Sequence, residues 1–194
     1  MIKSVCVYCA SSDRTPAVYL DAAARLGRAL AEAGLAVVYG GSSLGSMGRM
    51  ASAALAAGGK VTGVLPRFMD ELEWGNRALT ELRLVDDMHE RKRLMLELSD
   101  AVVALPGGCG TLEELFEAIT WKRLGLYFGP VVLVNVNGFY DPCIELLNRT
   151  VDEGFMNEKH RQMWSVADSP EHVLDVLQHA PSWSRDARNF ARVE

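Results

Sequence analysis

Cysteine is scarce in this chain: Cys6, Cys9, Cys109 and Cys143 are all that 194 residues contain. Four scattered cysteines make no disulfide framework, and a chain of this length builds its own core without one. That usage fits a reduced, cytoplasmic compartment. Cys6 and Cys9 do form a C-x-x-C, but they fall in an apolar run that reads as a buried strand. A redox pair belongs where a loop opens a helix and the helix stabilises the thiolate. Histidine is equally sparse. His89, His160, His172 and His179 form no H-E-x-x-H pair, and neither Cys109 nor Cys143 has a Cys or His at zinc spacing, so no metal site is legible. Long apolar runs are missing too. The opening MIKSVCVYCASSD reaches charge by Asp13 and no stretch approaches the roughly 20 residues that cross a bilayer, so no membrane association is expected. Basic residues are outnumbered, 20 against 25 acidic ones for a net charge of −5, a balance that repels a polyanion and argues against a nucleic-acid partner.

What is present is the composition of a folded protein, 49% hydrophobic and 23% charged, in a chain the length of one domain. Short β-branched runs alternate with longer segments of helical period, which predicts an α/β fold with an open, mainly parallel sheet and helices on both faces. The strands are expected at Ser4 to Tyr8, Ala36 to Tyr39, Lys60 to Leu65, Glu81 to Val85, Ala101 to Leu105 and Val131 to Val136. The helices are expected from about Pro16 to Ala33, Ser46 to Ala57, Met88 to Leu98, Leu112 to Leu124, Asp141 to Glu153 and Pro170 to Gln178. Residues 1–180 read as a single domain. Pro181 to Glu194 is polar with three arginines and reads as a tail or a partner-binding arm.

Small residues follow the strands one after another: Cys9-Ala10-Ser11-Ser12, Gly40-Gly41-Ser42-Ser43, and Pro106-Gly107-Gly108-Cys109-Gly110-Thr111. In an open parallel sheet, loops at the strands' carboxyl ends form the ligand site. The third loop joins a strand to a helix, so its backbone N–H groups and the helix dipole suit a phosphate. Two other accounts stay open for it. The glycines serve tight packing, or Thr111 and Glu114 form an S/T-x-x-E capping box. Other phosphate loops are excluded by inspection. Ser46 and Met47 stand where a G-x-x-x-x-G-K-[ST] loop needs its lysine and hydroxyl, and no G-x-G-x-x-G is followed by a helix and an acidic residue. A monophosphate is the natural anion.

Further upstream, Arg91, Met95 and Leu98 share a helical face, which sets a guanidinium beside apolar packing. A buried arginine needs an anionic partner, and Glu114 or a ligand phosphate can supply it. The alternative is an arginine snorkelling over the core, with Lys92 and Arg93 as surface charges.

Taken together, M-H-E-R-K (Met88 to Lys92) and P-G-G-C-G-T-L-E-E (Pro106 to Glu114) resemble the two signatures of the Lonely Guy family of cytokinin riboside 5′-monophosphate phosphoribohydrolases, many of which carry a lysine decarboxylase label. C-A-S-S (Cys9 to Ser12), Y-G-G-S-S-L-G-S-M-G (Tyr39 to Gly48), E-A-I-T-W (Glu117 to Trp121) and N-V-N-G-F-Y-D (Asn135 to Asp141) extend the likeness from about Val5 to Phe155. Ala10 and Ser42 replace glycines of the family pattern and Ser46 a leucine, which bears on the shape of the substrate side. The resemblance implies a Rossmann-like homodimer that hydrolyses the bond between base and ribose in adenine-type nucleoside 5′-monophosphates, without metal or cofactor. It implies Arg91 and Glu114 as the catalytic pair. For substrate binding it implies Glu73, Met88, Lys92, Gly108, Cys109, Gly110, Thr111, Leu112, Glu113 and Thr120, with the 5′-phosphate on Gly108, Gly110 and Thr111. A carboxylate beside C1′ would stabilise an oxocarbenium-like sugar and activate water.

Two rivals have their own tests. A nucleotide-sensing module would use the same loop without hydrolysis, and Ser42 and Ser46 favour it. Decarboxylation would call for pyridoxal phosphate on one of Lys3, Lys60, Lys92, Lys122 or Lys159, none in a recognisable context. For the dimer, Leu115, Phe116 and Ile119 account for the core stripe of their helix and leave Trp121 to be covered either by a second copy or by an internal packing partner.

Overall fold

The structure is a computed structural model that describes residues 1–72, 74–184, 186 and 187. Its strands are β1 (Ser4–Tyr8), β2 (Ala36–Tyr39), β3 (Val61–Pro66), β4 (Glu81–Val85), β5 (Ala101–Ala104), β6 (Val131–Val134) and β7 (Ser165–Ala167). Between them run α1 (Ala17–Glu32), α2 (Gly45–Ala56), α3 (Arg67–Glu71), α4 (Met88–Glu97), α5 (Cys109–Arg123), α6 (Asp141–Asp152) and α7 (Val173–His179). The sheet order is β4-β3-β2-β1-β5-β6-β7 and every pairing is parallel. The expected α/β fold is therefore present with a wholly parallel sheet. The expectations lacked β7 and α3, which at three and five residues are too short to show a period.

Alternation along the strands divides the interior in two. Val5, Val7 and Cys9 enter a cluster with Leu26 and Leu30 of α1 and Met50 of α2. Cys6 and Tyr8, one step out of phase, enter the opposite cluster with Met95 of α4, Leu115 and Ile119 of α5 and Leu147 of α6. Burial on both faces explains why these strands read as continuous apolar runs. α5 buries Leu115, Ala118, Ile119 and Lys122, while Phe116 is exposed and Trp121 packs partly against the core. Trp121 thus has its cover inside the chain, and the bare aromatic ring on α5 is Phe116.

The segment after Pro181 is not polar throughout in its placement. Trp183 and Ala187 are buried in the second cluster, and the Trp183 indole N–H donates to the carbonyl of Lys122. Residues 188–194 lie outside the described residues.

Candidate active site

The chain runs outward in opposite directions from the adjacent strands β1 and β5. The loops leaving their carboxyl ends diverge there and open a crevice, the ordinary place for a ligand in such a sheet. A cleft of about 340 Å³ occupies it, within the range of small-molecule sites. Cys9, Ala10, Ser11 and Ser12 line it after β1, Gly40 and Ser42 after β2, Leu65 at the end of β3, and Gly108, Gly110, Thr111, Glu113 and Glu114 after β5.

On the β5 side, α5 begins at Cys109, three residues earlier than the sequence suggested, with Gly108 as its N-cap. Thr111 therefore lies inside the first turn and no side chain among the described residues caps the helix, so Thr111 and Glu114 do not form a capping box. The first three N–H groups of a helix have no intrahelical acceptor and carry its positive dipole end. The glycines divide by duty. A β-carbon at Gly107 would lie 2.2 Å from the Thr111 hydroxyl, so Gly107 is needed for packing. At Gly108 and Gly110 a β-carbon would meet nothing of the described residues within 4 Å, and neither has a positive φ. Packing thus explains one glycine of the loop, and the other two border open space at a helix N-terminus, as an anion site requires.

Across the cleft, α4 is held at its start by Asp87, whose carboxylate accepts from the Glu90 N–H at 2.8 Å, while the Glu90 carboxylate accepts from the Asp86 N–H at 2.8 Å. This fixes the first turn and turns Arg91 inward, where the residue is 6% exposed. Its Nε donates to the Val64 carbonyl at 3.1 Å and Nη2 to the Gly40 carbonyl at 2.9 Å. Nη1 stands 3.7 Å from Glu114 Oε1. The snorkelling alternative is thereby set aside: Arg91 is buried, anchored on two strand ends and paired with a carboxylate. Glu114 is 4% exposed. Burial pushes its pKa up to about 7 while the Arg91 charge pulls it down, so near neutral pH it exchanges between acid and carboxylate. Below the pair, burial raises the Cys9 thiol well above its usual range.

Lys92 is not a surface charge. It is 4% exposed, and its ammonium pairs with Glu113 and, at 3.3 Å, with Glu117 one turn further along α5. Burial opposes its charge, but the two glutamates raise its pKa on balance. Arg93 is exposed as expected. Of the residues implied by resemblance, Met88, Arg91, Gly108, Gly110, Thr111, Glu113 and Glu114 line the cleft. Lys92 stands behind Glu113, and Cys109 and Leu112 belong to the same first turn without lining the cleft. Thr120 is exposed on α5, nine residues beyond Thr111 and so about 13 Å along the axis, away from this cleft. Glu73 lies outside the described residues.

Sequence reasoning did not find the apolar wall of Met47, Leu65, Met69 and Trp74. The carboxyl end of β3 was a signal for Leu65; Trp74 had none, because it is placed by long-range pairing. Ser42 and Gly75 form an antiparallel bridge, the Ser43 N–H donates to the Trp74 carbonyl at 3.3 Å, and the Asn76 N–H donates to the Gly41 carbonyl at 2.9 Å. This strap holds the Trp74 loop against the β2 glycine loop. Ser42 fits it without a positive φ, and its hydroxyl accepts from the Leu44 N–H at 3.2 Å. Ser46 is buried on α2, and its hydroxyl has no hydrogen-bond partner among the described residues.

Among the described residues, no lysine lines the cleft. Lys92 is engaged by two carboxylates and Lys122 is buried under Trp183, so the residues present do not fit a Schiff base with pyridoxal phosphate. Residues 47–177 nevertheless match the family model described as possible lysine decarboxylase. Over 182 residues the chain is 43% identical to the cytokinin riboside 5′-monophosphate phosphoribohydrolase LOG of Oryza sativa subsp. japonica, covering 93% of this chain and 75% of that one. Over 177 residues it is 46% identical to the cytokinin riboside 5′-monophosphate phosphoribohydrolase of Rhodococcoides fascians, covering 91% and 89%. Among solved structures, the molybdenum cofactor carrier protein of Chlamydomonas reinhardtii superposes with a TM-score of 0.71 over 93% of this chain and 98% of that one. At 23% identity that likeness shows a shared fold. With a family model over most of its length and relatives above 40% identity over nine-tenths of it, the chain belongs to the Lonely Guy family of cytokinin riboside 5′-monophosphate phosphoribohydrolases.

Proposed function

We propose that this protein hydrolyses the N-glycosidic bond of adenine-type nucleoside 5′-monophosphates, releasing free base and ribose 5-phosphate. The observation that carries the reading is the buried Arg91–Glu114 pair, one helical turn from an open, glycine-bordered helix N-terminus. The 5′-phosphate is taken by the N–H groups and hydroxyl of Gly108, Gly110 and Thr111. Glu114, a turn or about 5 Å deeper on the same helix, then faces the ribose. As the bond from C1′ to the base breaks, its electron pair leaves with the base, which takes up one proton from solvent, and the sugar becomes cationic. Ionised Glu114 stabilises that cation and draws a proton from the water that attacks C1′. Arg91 keeps Glu114 ionised in a fraction of molecules that burial alone would make far smaller. Lys92 acts from behind by holding Glu113 and Glu117. The base lies toward Met47, Leu65, Met69, Trp74 and Met88, an apolar wall better suited to an N6-prenylated adenine than to adenine alone.

Two further parts of the reading concern assembly and place. The working unit is a homodimer: Phe116 midway along α5 and Leu124 and Leu126 just past its end leave apolar surface exposed, and Thr120, which does not line its own cleft, serves the site of a second copy. The free cysteines support a reduced, cytoplasmic setting. Binding without hydrolysis loses part of its argument, because the Ser42 hydroxyl is satisfied within the loop. Incubation with isopentenyl-AMP and with AMP, followed by chromatography for free base and ribose 5-phosphate, tests the proposal. Release of base is expected, fastest from the prenylated nucleotide, and recovery of intact nucleotide across pH 5 to 9 would overturn it.

A further inference from the structure

Arg91 reaches Glu114 by passing the end of β2, and what it passes there is Gly40. Nη2 donates to the Gly40 carbonyl at 2.9 Å, and a β-carbon on Gly40 would lie 1.9 Å from Nη2 and 3.0 Å from Cζ. No side chain can share that space with the guanidinium. The backbone does not itself demand glycine here. Gly41 has a φ of +80°, but Gly40 is not among the positive-φ residues, so its requirement is one of room. The third-nearest atom to such a β-carbon is the Met47 methyl at 3.0 Å, the end of a flexible chain that can give way. On the other side, Val64 holds Nε, so the guanidinium is fixed between the ends of β2 and β3 and has no free direction of retreat that preserves both bonds.

We propose that Gly40 is a positioning residue for the reaction: its missing β-carbon is the slot in which Arg91 is held 3.7 Å from Glu114. The proposal rests on the hydrolytic reading for its effect on turnover, and on packing alone for its effect on stability. A displaced Arg91 would lose the Gly40 bond, move away from Glu114 and leave the burial of the carboxylate without its main opposing charge.

A double-mutant cycle over Gly40→Ala, Arg91→Ala and the double variant, read by thermal unfolding and by turnover, tests it. Gly40→Ala alone is expected to lower Tm by roughly 3–8 °C through overpacking. Its kcat should fall about 100-fold, as a misplaced group implies, with KM changed less than about threefold because the phosphate loop is untouched. The acid limb of its pH profile should move to higher pH, since Arg91 no longer lowers the Glu114 pKa. In the Arg91→Ala background the slot is empty, and adding Gly40→Ala should shift Tm by less than about 1 °C. An equal loss of Tm in both backgrounds, or Gly40→Ala with unchanged kcat and acid limb, would overturn the proposal. If Gly40→Ala does not fold, a folded double variant supports the proposal and an unfolded one refutes it. If the wild type hydrolyses nothing, the functional reading fails separately, and the thermal cycle still decides whether Gly40 makes room for Arg91.

Discussion

Glu114 is the place where stability and chemistry pull apart, and replacing it by the isosteric glutamine separates them. The carboxyl is 4% exposed and its pKa is raised from the usual 4.5 to about 7, chiefly by burial. Between those two values the native state keeps a proton that the unfolded chain has released, so stability falls as pH rises through that window, and the whole cost is present above about pH 7. A tenfold change in an ionisation constant is about 1.4 kcal/mol, so a rise from 4.5 to about 7 corresponds to about 3 kcal/mol. Glu114→Gln removes the ionisation and leaves Arg91 its two carbonyl acceptors, Val64 and Gly40. The variant should match the wild type near pH 4.5 and exceed its Tm by about 6–12 °C at pH 8, taking 2–4 °C per kcal/mol for a chain of this size. Turnover of the same variant should fall by about 10³-fold or more. Thermal unfolding of both proteins from pH 4.5 to 8 is the assay. A Tm difference that stays constant across the range would refute the reasoning, because it would mean that burial does not hold Glu114 protonated in the native state.

Other outcomes follow from the same geometry. Arg91→Ala should reduce kcat by about 10²–10³-fold, the loss typical of an electrostatic group at a reacting centre; steady-state kinetics with near-normal kcat would remove Arg91 from the site. Gly110→Ala adds a methyl where none of the described residues lies within 4 Å, so Tm should hold or rise slightly, as alanine favours a helix by about 1 kcal/mol over glycine. Its KM should nonetheless increase about tenfold or more as the methyl enters the space assigned to phosphate, and an unchanged KM would place the phosphate elsewhere. Trp74→Ala should lower kcat/KM for isopentenyl-AMP about tenfold while changing that for AMP little, in line with about 1–3 kcal/mol for one apolar contact; equal losses on both would assign Trp74 to the adenine or to the fold. Phe116→Glu should convert a dimer to a monomer in sedimentation velocity, and an unaltered mass would move the interface off this face of α5.

The order of strands and helices was readable because two-sided burial turns each central strand into an apolar run and each helix into a long period. Ser165–Ala167 escaped because three residues carry no period, and its place is fixed by pairing with β6. The phosphate loop, Arg91 and Glu114 were readable as local motifs, but their duties were not. Thr111 and Glu114 satisfy a capping-box pattern, yet the helix starts at Cys109, which no local rule revealed. Lys92 looked like surface charge because its partners, Glu113 and Glu117, come from another helix. Phe116 and Trp121 exchanged their expected environments because a few tens of degrees of helix rotation decide which side of the stripe is covered. Trp74 depends on a bridge between loops more than 30 residues apart, a contact with no local signature.

The most direct test of the central claim is turnover of isopentenyl-AMP by wild type and Glu114→Gln measured side by side, with free base and ribose 5-phosphate both quantified. The account predicts equimolar base and ribose 5-phosphate from the wild type and almost none from a folded Glu114→Gln. Comparable product from both would contradict it, because the carboxylate held beside Arg91 would then have no part in breaking the bond.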